Sequence, residues 1–455
     1  MRTKYFPTAL PTLMMVVSGL LTYSAHSKVM QIDLKSALRL ANEQNTGLAI
    51  QLERVRQAEI DNNSAVYQWL PTIRAGFSST DQNGILQNTD GSITDVDRTT
   101  ESRGLGLGTI GSGLAPRPGL SLELDLAEGI FQPLAASQKL EAVKEEETET
   151  RQNLALEVTA AYYELVQSKR NLVIAGETAG NAGNIEKATA DFAKAGEGLQ
   201  ADAERAAVES LIQQNKLESA NVRAAAASGR LVQLLRLNEE VELEPLDSMI
   251  VPLNLFPAEP ELGSLIRKAL ANRPEIKRYK ALAKVEESNY KRETLGMLLP
   301  KVGVSYSDNR YKGGPSGSVS NYRDRTESFV AVYWQLDNLG FTNLARKETQ
   351  ESRLRVAKAR EDQVEADIIA DVNLALSQYR AARKQVEFLK RAVARARKAF
   401  ELSQERIFEN QGLPLEALQA MNALEEVELL YLNASAQKNF SQLYLLAATG
   451  DEIKL

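Results

Sequence analysis

Four stretches hold residue types that could do chemistry. Carboxylates crowd "EAVKEEETET" (141–150), and glycines crowd "RGLGLGTIGSG" (103–113). Single acids follow two Gly-containing turns, Asp202 in "GEGLQAD" (196–202) and Glu416 in "GLPLEALQA" (412–420). The acidic run has no His or Cys near it to complete a metal-binding set, so it reads as a solvated helix face. The Gly-rich run has phosphate-loop spacing, but it lacks the Lys-Ser/Thr ending and the strand–loop–helix setting that would let backbone amides cradle a phosphate. The chain has no Cys and one His, His26. Disulfides, thiolate chemistry and a lipid-bearing N-terminal cysteine are excluded, and the commonest general base is nearly absent. The sequence predicts neither an enzyme nor a cofactor or metal site.

His26 itself lies in a predicted export signal. Arg2 and Lys4 form a positive start, "LPTLMMVVSGLL" (10–21) is apolar but too short to span a bilayer, and Ala25 and Ser27 are the small residues a signal peptidase reads. Cleavage after Ser27 removes two of 54 basic residues, leaving 52 against 60 acidic and a formal charge of −8. That balance argues against a nucleic-acid partner.

The candidate acids must be positioned by very long helices. From Val364 to Ile407 the apolar and small residues recur every three or four positions, through Ile368, Val372, Ala375, Tyr379, Ala382 and Phe400. This is one face held against a partner. A helix from about Ala345 to Glu409 would be about 95 Å long. The first half has a counterpart from Leu134 to about Ala195, striped by Leu154, Val158, Ala161, Leu165 and Leu172. Gly176, Gly180 and Gly183 share a face of it, which implies either a close backbone approach or local fraying. Each long helix turns at a Gly-containing tip (Gly196 and Gly198; Gly412 with Pro414) and returns.

The halves repeat one plan. "LKSALRLANEQNTGL" (34–48) overlies "LGSLIRKALANRPEI" (262–276), and "WLPTIRAGFS" (69–78) overlies "LLPKVGVSYS" (298–307). The expected organisation is a signal peptide at 1–27, a first repeat at 28–237, an extended Pro/Glu-rich connector at 238–261 and a second repeat at 262–455. After Pro71 and Pro300 small and apolar residues alternate with polar ones, the period of a strand with one apolar face. Strands are expected near 72–80, 118–131, 301–309 and 327–337, joined by polar loops at 81–100 and 310–326. Glu123 and Asp125 alternate with Leu122, Leu124 and Leu126. Ten-residue strands of this kind suit a membrane barrel or, on their own, two soluble hairpins packed together. Four strands cannot close a barrel, so a membrane reading requires several chains to share one.

This layout resembles the TolC-like outer-membrane efflux channels of Gram-negative bacteria. The resemblance rests on the duplicated 34–48 and 262–276 segments, the two Leu-Pro junctions, "GLSLELDL" and "WQLDNLG" on the returning strands, and the two Gly tips, and it spans the mature chain. It implies an α-dominated fold with a membrane β-barrel. Long coiled-coil hairpins form a periplasmic tunnel, and each chain gives four strands to a twelve-stranded barrel shared by a homotrimer. Leu34–Asn45, the connector and Leu262–Arg273 would form a mixed belt around that tunnel. Pro71 and Pro300 would mark the helix-to-barrel junctions, and Glu123 and Asp125 would face the lumen. The tips would meet a periplasmic adaptor, and Glu416 and Asp202 would stand at the periplasmic aperture. The implied function is a passive exit duct for an inner-membrane transporter, set in outer-membrane lipid and serving efflux or type I secretion, with cargo left open. A non-conducting exported coiled-coil protein with a structural or adhesive role is the alternative.

Overall fold

The computed structural model describes residues 28–453 apart from 71, 75, 105–106, 109–116, 119, 239, 248–249, 251–252, 257–258, 316–318 and 409–412. The expected signal peptide, Pro71 and Gly412 therefore lie outside the described residues. Strand β1 (Lys28–Ile32) leads into α1 (Leu34–Gln44) and α2 (Thr46–Val66). Local chemistry sets these breaks. Asp33 Oδ1 accepts from the Ser36 amide at 2.8 Å to cap α1, and Asn45 Oδ1 accepts from the Leu48 amide at 3.2 Å to cap α2. A 3-10 turn (Tyr67–Trp69) enters β2 (Thr72–Arg74), β3 (Gly76–Gln87), β4 (Ile93–Gly104), β5 (Leu107–Gly108), β6 (Arg117–Pro118) and β7 (Leu120–Asp125). The hairpin α3 (Leu126–Ala195) and α4 (Gln200–Leu235) completes the first round. The second repeats the order with β8 (Val241–Pro245), α5 (Leu262–Asn272), α6 (Pro274–Leu295), β9 (Lys301–Pro315), β10 (Val319–Tyr333), α7 (Phe341–Phe408) and α8 (Pro414–Ala448). At 70 and 68 residues, α3 and α7 are each about 100 Å long.

The main sheet makes four antiparallel passes. β9 pairs on one side with β10; on the other it meets β7 near its start and β4 near its end. β2 continues the sheet beyond β7, and β3 continues it beyond β4. β4 and β7 thus make one pass, interrupted by an excursion that holds the small β5–β6 pair. The stretches expected to be polar loops are mostly strand, since β3 and β4 stay in register out to Gln87 and Ile93, and β9 and β10 stay paired out to Gly313 and Val319 across one register shift between Val319 and Arg323. Ladder bonds come from the backbone, so polar side chains do not end a strand that stands in water. Two expected strands are shorter than the alternation suggested. The 118–131 strand ends at Asp125, whose carboxylate accepts from the Ala127 and Glu128 amides and starts α3 at Leu126. The 327–337 strand ends at Tyr333, before a 3-10 turn at Asp337–Gly340.

Within the protomer neither a close approach nor a break is seen at the α3 glycines. The helix is unbroken, a Cβ at Gly176 would reach only Leu217 Cδ1 at 3.9 Å, and at Gly180 and Gly183 it would meet nothing within 4 Å. Close approach occurs instead at Gly296, where a Cβ would stand 2.9 Å from that of Ala127 and crowd the end of α6 against the start of α3.

The core lies at the waist, where the halves interlock. β1 and β8 pair in parallel, joining the two rounds through their first strands. Around them Ile32, Ala37, Leu48, Val158, Leu165, Leu231, Leu235, Leu243 and Leu443 are buried in one cluster. A second cluster packs Leu265, Ala269 and Ile276 against Ile368, Val372 and Leu376 of α7. Each Val, Leu or Ile side chain among these contributes about 1.5–3 kcal/mol on burial. The expected connector is partly strand, since its Val241–Pro245 stretch is β8 and is held by the ladder with β1; beyond β8 it is fastened by side chains. Asn439 Oδ1 accepts from the Leu253 amide, Gln442 Oε1 accepts from the Leu255 amide, and Gln442 Nε2 donates to the Leu253 carbonyl. Tyr162 of α3 donates to Asp247 at 2.9 Å, and Tyr379 of α7 to the Phe256 carbonyl at 3.3 Å. Lys169 clamps Glu242 and Glu244 of β8 at 2.9 and 2.7 Å. Burial opposes its charge, but the two carboxylates outweigh burial and raise its pKa.

Candidate channel elements at the tip, seam and barrel

At the first tip α3 ends on Gly196 in the left-handed conformation, with φ +79°. The amides of Glu197 and Gly198 both reach back to the Phe192 carbonyl. This closes the last turn with a glycine where other residues would be strained. Gly198 is there for space, since a Cβ would stand 3.3 Å from the Ala193 backbone nitrogen. Leu199 then leads into α4 with φ −85° and ψ 134°. At the second tip Leu413 precedes α8 with φ −84° and ψ 132°, and Pro414 occupies the first turn, where no amide is needed. Both leucines are exposed. Asp202 and Glu416 sit in the first turns of α4 and α8, where the helix dipole favours an acid. Each has an arginine partner: Asp202 Oδ1 lies 3.3 Å from Arg205, and Glu416 Oε2 lies 3.2 Å from Arg406. The Arg406 pairing was not read from the sequence, because it spans the tip.

Behind the tips α4 meets α8 in a polar seam that sequence reasoning missed. Gln213 is fully buried, and its Nε2 lies 2.9 Å from Asn422 Oδ1 and 3.0 Å from Glu209 Oε1. Asn422 Nδ2 donates to the same Glu209 oxygen at 3.1 Å. Glu425, only 7% exposed, takes Lys216 Nζ at 2.7 Å. Such a network specifies one alignment of two helices, since slippage would leave buried polar groups unpartnered. The signal was present in the sequence. Glu425 stands where Leu418, Met421 and Leu432 mark the buried stripe of α8.

At the other end the helix-to-barrel junctions are brought together. Register sets Thr72 opposite Glu123, Asp125 opposite Lys301, and Lys301 opposite Tyr333. Pro300 therefore sits at the level where all four passes meet helix. Glu123 accepts from the Tyr333 hydroxyl at 2.7 Å, and Asp125 pairs with Lys301 at 3.1 Å while capping α3. One face of the sheet base is thus polar, while Val330 and Val332 are exposed on the other. Trp69 packs over Gly129 of α3, where a Cβ would stand 3.4 Å from its ring. Well down the helices from the junctions, Glu149 of α3 pairs with Arg278 near the start of α6 at 2.7 Å. Burial raises the Glu149 pKa despite that partner.

Comparison with known proteins agrees with this geometry. Residues 265–451 match the family described as outer membrane efflux protein. Solved structures match along nearly the whole chain. The outer-membrane channel OprN is 19% identical with a TM-score of 0.75, covering 92% of this chain and 89% of that one. VceC of Vibrio cholerae is 14% identical with a TM-score of 0.73, covering 92% and 97%. CmeC of Campylobacter jejuni is 13% identical with a TM-score of 0.72, covering 93% and 87%. Among curated proteins none matches. The second half of the chain thus carries an outer membrane efflux protein domain, and the whole chain has the TolC-like fold. The resemblance read from the sequence holds, as a likeness of fold along nearly the whole chain and a family match over residues 265–451.

Proposed function

We propose that three copies of this chain form a closed twelve-stranded barrel and a helical tunnel, and that the trimer is the passive exit duct of a tripartite efflux or type I secretion system. One observation carries this reading. The four-pass sheet leaves the outer edges of β2, β3 and β10 unpaired among the described residues, with an apolar face beside a polar one. Open edges in lipid are costly, and closure across copies removes them. Glu123, Lys301 and Asp125 would then face the lumen, and outer-membrane lipid would cover Val330 and Val332. The tips, with Gly196, Gly198, Gly412, Pro414 and the exposed Leu199 and Leu413, would receive a periplasmic adaptor that links the duct to an inner-membrane transporter. Glu416 and Asp202 would ring the aperture, each charge moderated by its arginine, while the Gln213–Glu425 seam holds the second hairpin against the first. Transport energy would come from the partner pump.

Conductance of the purified mature protein in a planar bilayer tests the reading. Discrete, cation-favouring steps are expected. Silence from both the wild type and a Glu416→Ala variant would instead favour a non-conducting coiled-coil scaffold.

A further inference from the structure

The chain has two tryptophans, and both stand at the base of the sheet, Trp69 before β2 and Trp334 just after β10. Trp334 continues an exposed row that follows strand alternation through Val330 and Val332 and runs on to Leu336. This row lies on the face opposite the Glu123–Tyr333 and Asp125–Lys301 contacts. It ends in an unusual turn. Asn338, Leu339 and Gly340 have φ of +49°, +57° and +90° in succession. Asn and Gly tolerate that region, but leucine does not. Leu339 is also 91% exposed, and Phe341 beside it is exposed as well.

The turn is rigid. The Asp337 amide donates to Asn343 Oδ1 at 3.0 Å, Asn338 Nδ2 to Thr342 Oγ1 at 2.7 Å, and Arg346 to Asp337 Oδ2 at 2.9 Å. Three hydrogen bonds thus hold a strained leucine outward, where nothing in its own chain covers it. Tyr67 and Leu70 are likewise exposed beside Trp69. Aromatic residues with one wet and one apolar side belong at the boundary between headgroups and acyl chains.

We infer that the Asp337–Gly340 turn is a fixed wedge that inserts Leu339 into the periplasmic-side boundary of the lipid bilayer and, with Trp334 and Trp69, sets how deep the barrel sits. The inference rests on the outer-membrane reading above. Lipid is favoured as the occupant because the wedge continues the exposed Val330–Val332 row, the face a barrel turns to the membrane.

Trp69→Phe leaves Trp334 as the only tryptophan, and its fluorescence reports the collar in the full-length mature protein. The protein is reconstituted into vesicles of phosphatidylethanolamine and phosphatidylglycerol. Nitroxides are carried on the acyl chain either near the headgroup or near the chain end, and iodide is the aqueous quencher. The shallow label should quench at least about twofold more than the deep one, with little effect of iodide. In the same background Leu339→Asn suits the left-handed backbone while removing the apolar side chain. It should leave the melting temperature in detergent unchanged or higher, yet cut quenching by the shallow label by about half. Trp334 untouched by either lipid label would show that a neighbouring copy covers it, and strong iodide quenching would show water. Shallow quenching unchanged by Leu339→Asn would remove the wedge role. Any of these overturns the inference while the channel reading stands, because conductance is read on the same vesicles. A protein that stays out of the bilayer overturns both.

Discussion

The return helices α4 and α8 hold corresponding places in the two rounds, yet they treat their apolar residues in opposite ways. α8 lies between α7 and α3 and buries Leu418, Met421, Leu432, Leu443 and Leu445. α4 buries mainly alanines along its middle (Ala206, Ala220, Ala224) and leaves Val208, Leu211, Ile212 and Val222 exposed. Duplication copied the elements, but only one return helix became interior to the protomer. The other keeps an apolar stripe, which in the proposed trimer faces a neighbouring copy.

The most damaging way to sharpen this contrast is to place charge on the α4 stripe. Leu211→Asp with Val222→Asp should abolish the trimer in sedimentation, a loss of about 3 kcal/mol or more per interface, while helicity by circular dichroism is retained. A surviving trimer would break the comparison. Met421→Ala on α8 should lower protomer stability by about 2–4 kcal/mol, whereas Ile212→Ala on α4 should change it by less than about 0.5 kcal/mol once trimers are dissociated. Denaturant melts measure both, and equal losses would mean that α4 is as interior as α8.

Between the two helices, Glu425→Ala should cost about 1–3 kcal/mol, because buried Gln213 and Lys216 lose their shared carboxylate. Bilayer recordings of that variant should show longer open times if the seam restrains the second hairpin. At the tips, Glu416→Ala should raise leak conductance or weaken cation preference by about twofold, and Asp202→Ala should do less, since Asp202 is the more covered acid. Equal effects would place both acids alike around the aperture.

The smallest effect concerns pH. Burial raises the folded pKa of Glu149 above its unfolded value, so the native state holds the extra proton between the two. Stability from this group therefore falls as pH rises from near 4.5 through the folded pKa. Glu149→Gln should melt slightly higher than wild type at pH 7, and the difference should shrink on acidification toward pH 4.5. A difference independent of pH would mean that the Arg278 pair offsets burial fully.

Much of the architecture was legible because it is periodic. The α7 stripe from Val364 to Ile407 is buried or half-buried at every step, and the alternation after Pro300 became β9. Strand ends were not legible, for two physical reasons. Polar residues pair as well as apolar ones in a ladder, which hid the upper parts of β3 and β4, and a capping carboxylate at Asp125 overrode an alternation that continued to Leu126. At the candidate site, the positions of Glu416 and Asp202 just past the tips could be read from the sequence, while an aperture role came only from the family resemblance. Arg205 stands one turn beyond Asp202 on the same helix and was legible, but Arg406 and the Gln213–Glu425 seam depend on contacts between distant segments, which spacing along one helix does not encode.

The parallel pairing of β1 with β8 also bears on how the chain must fold. Lys28 finds its partner at Val241, so the first strand has no mate until more than half the chain has been made. The waist cannot close locally, and contacts of such long sequence separation are slow to form. Until then β1, the seam-forming faces and the unpaired barrel strands stay open to wrong partners. The duplication that gives the protein its symmetry thus also makes it a late-maturing molecule, one whose two halves must wait for each other and which needs protection while they do.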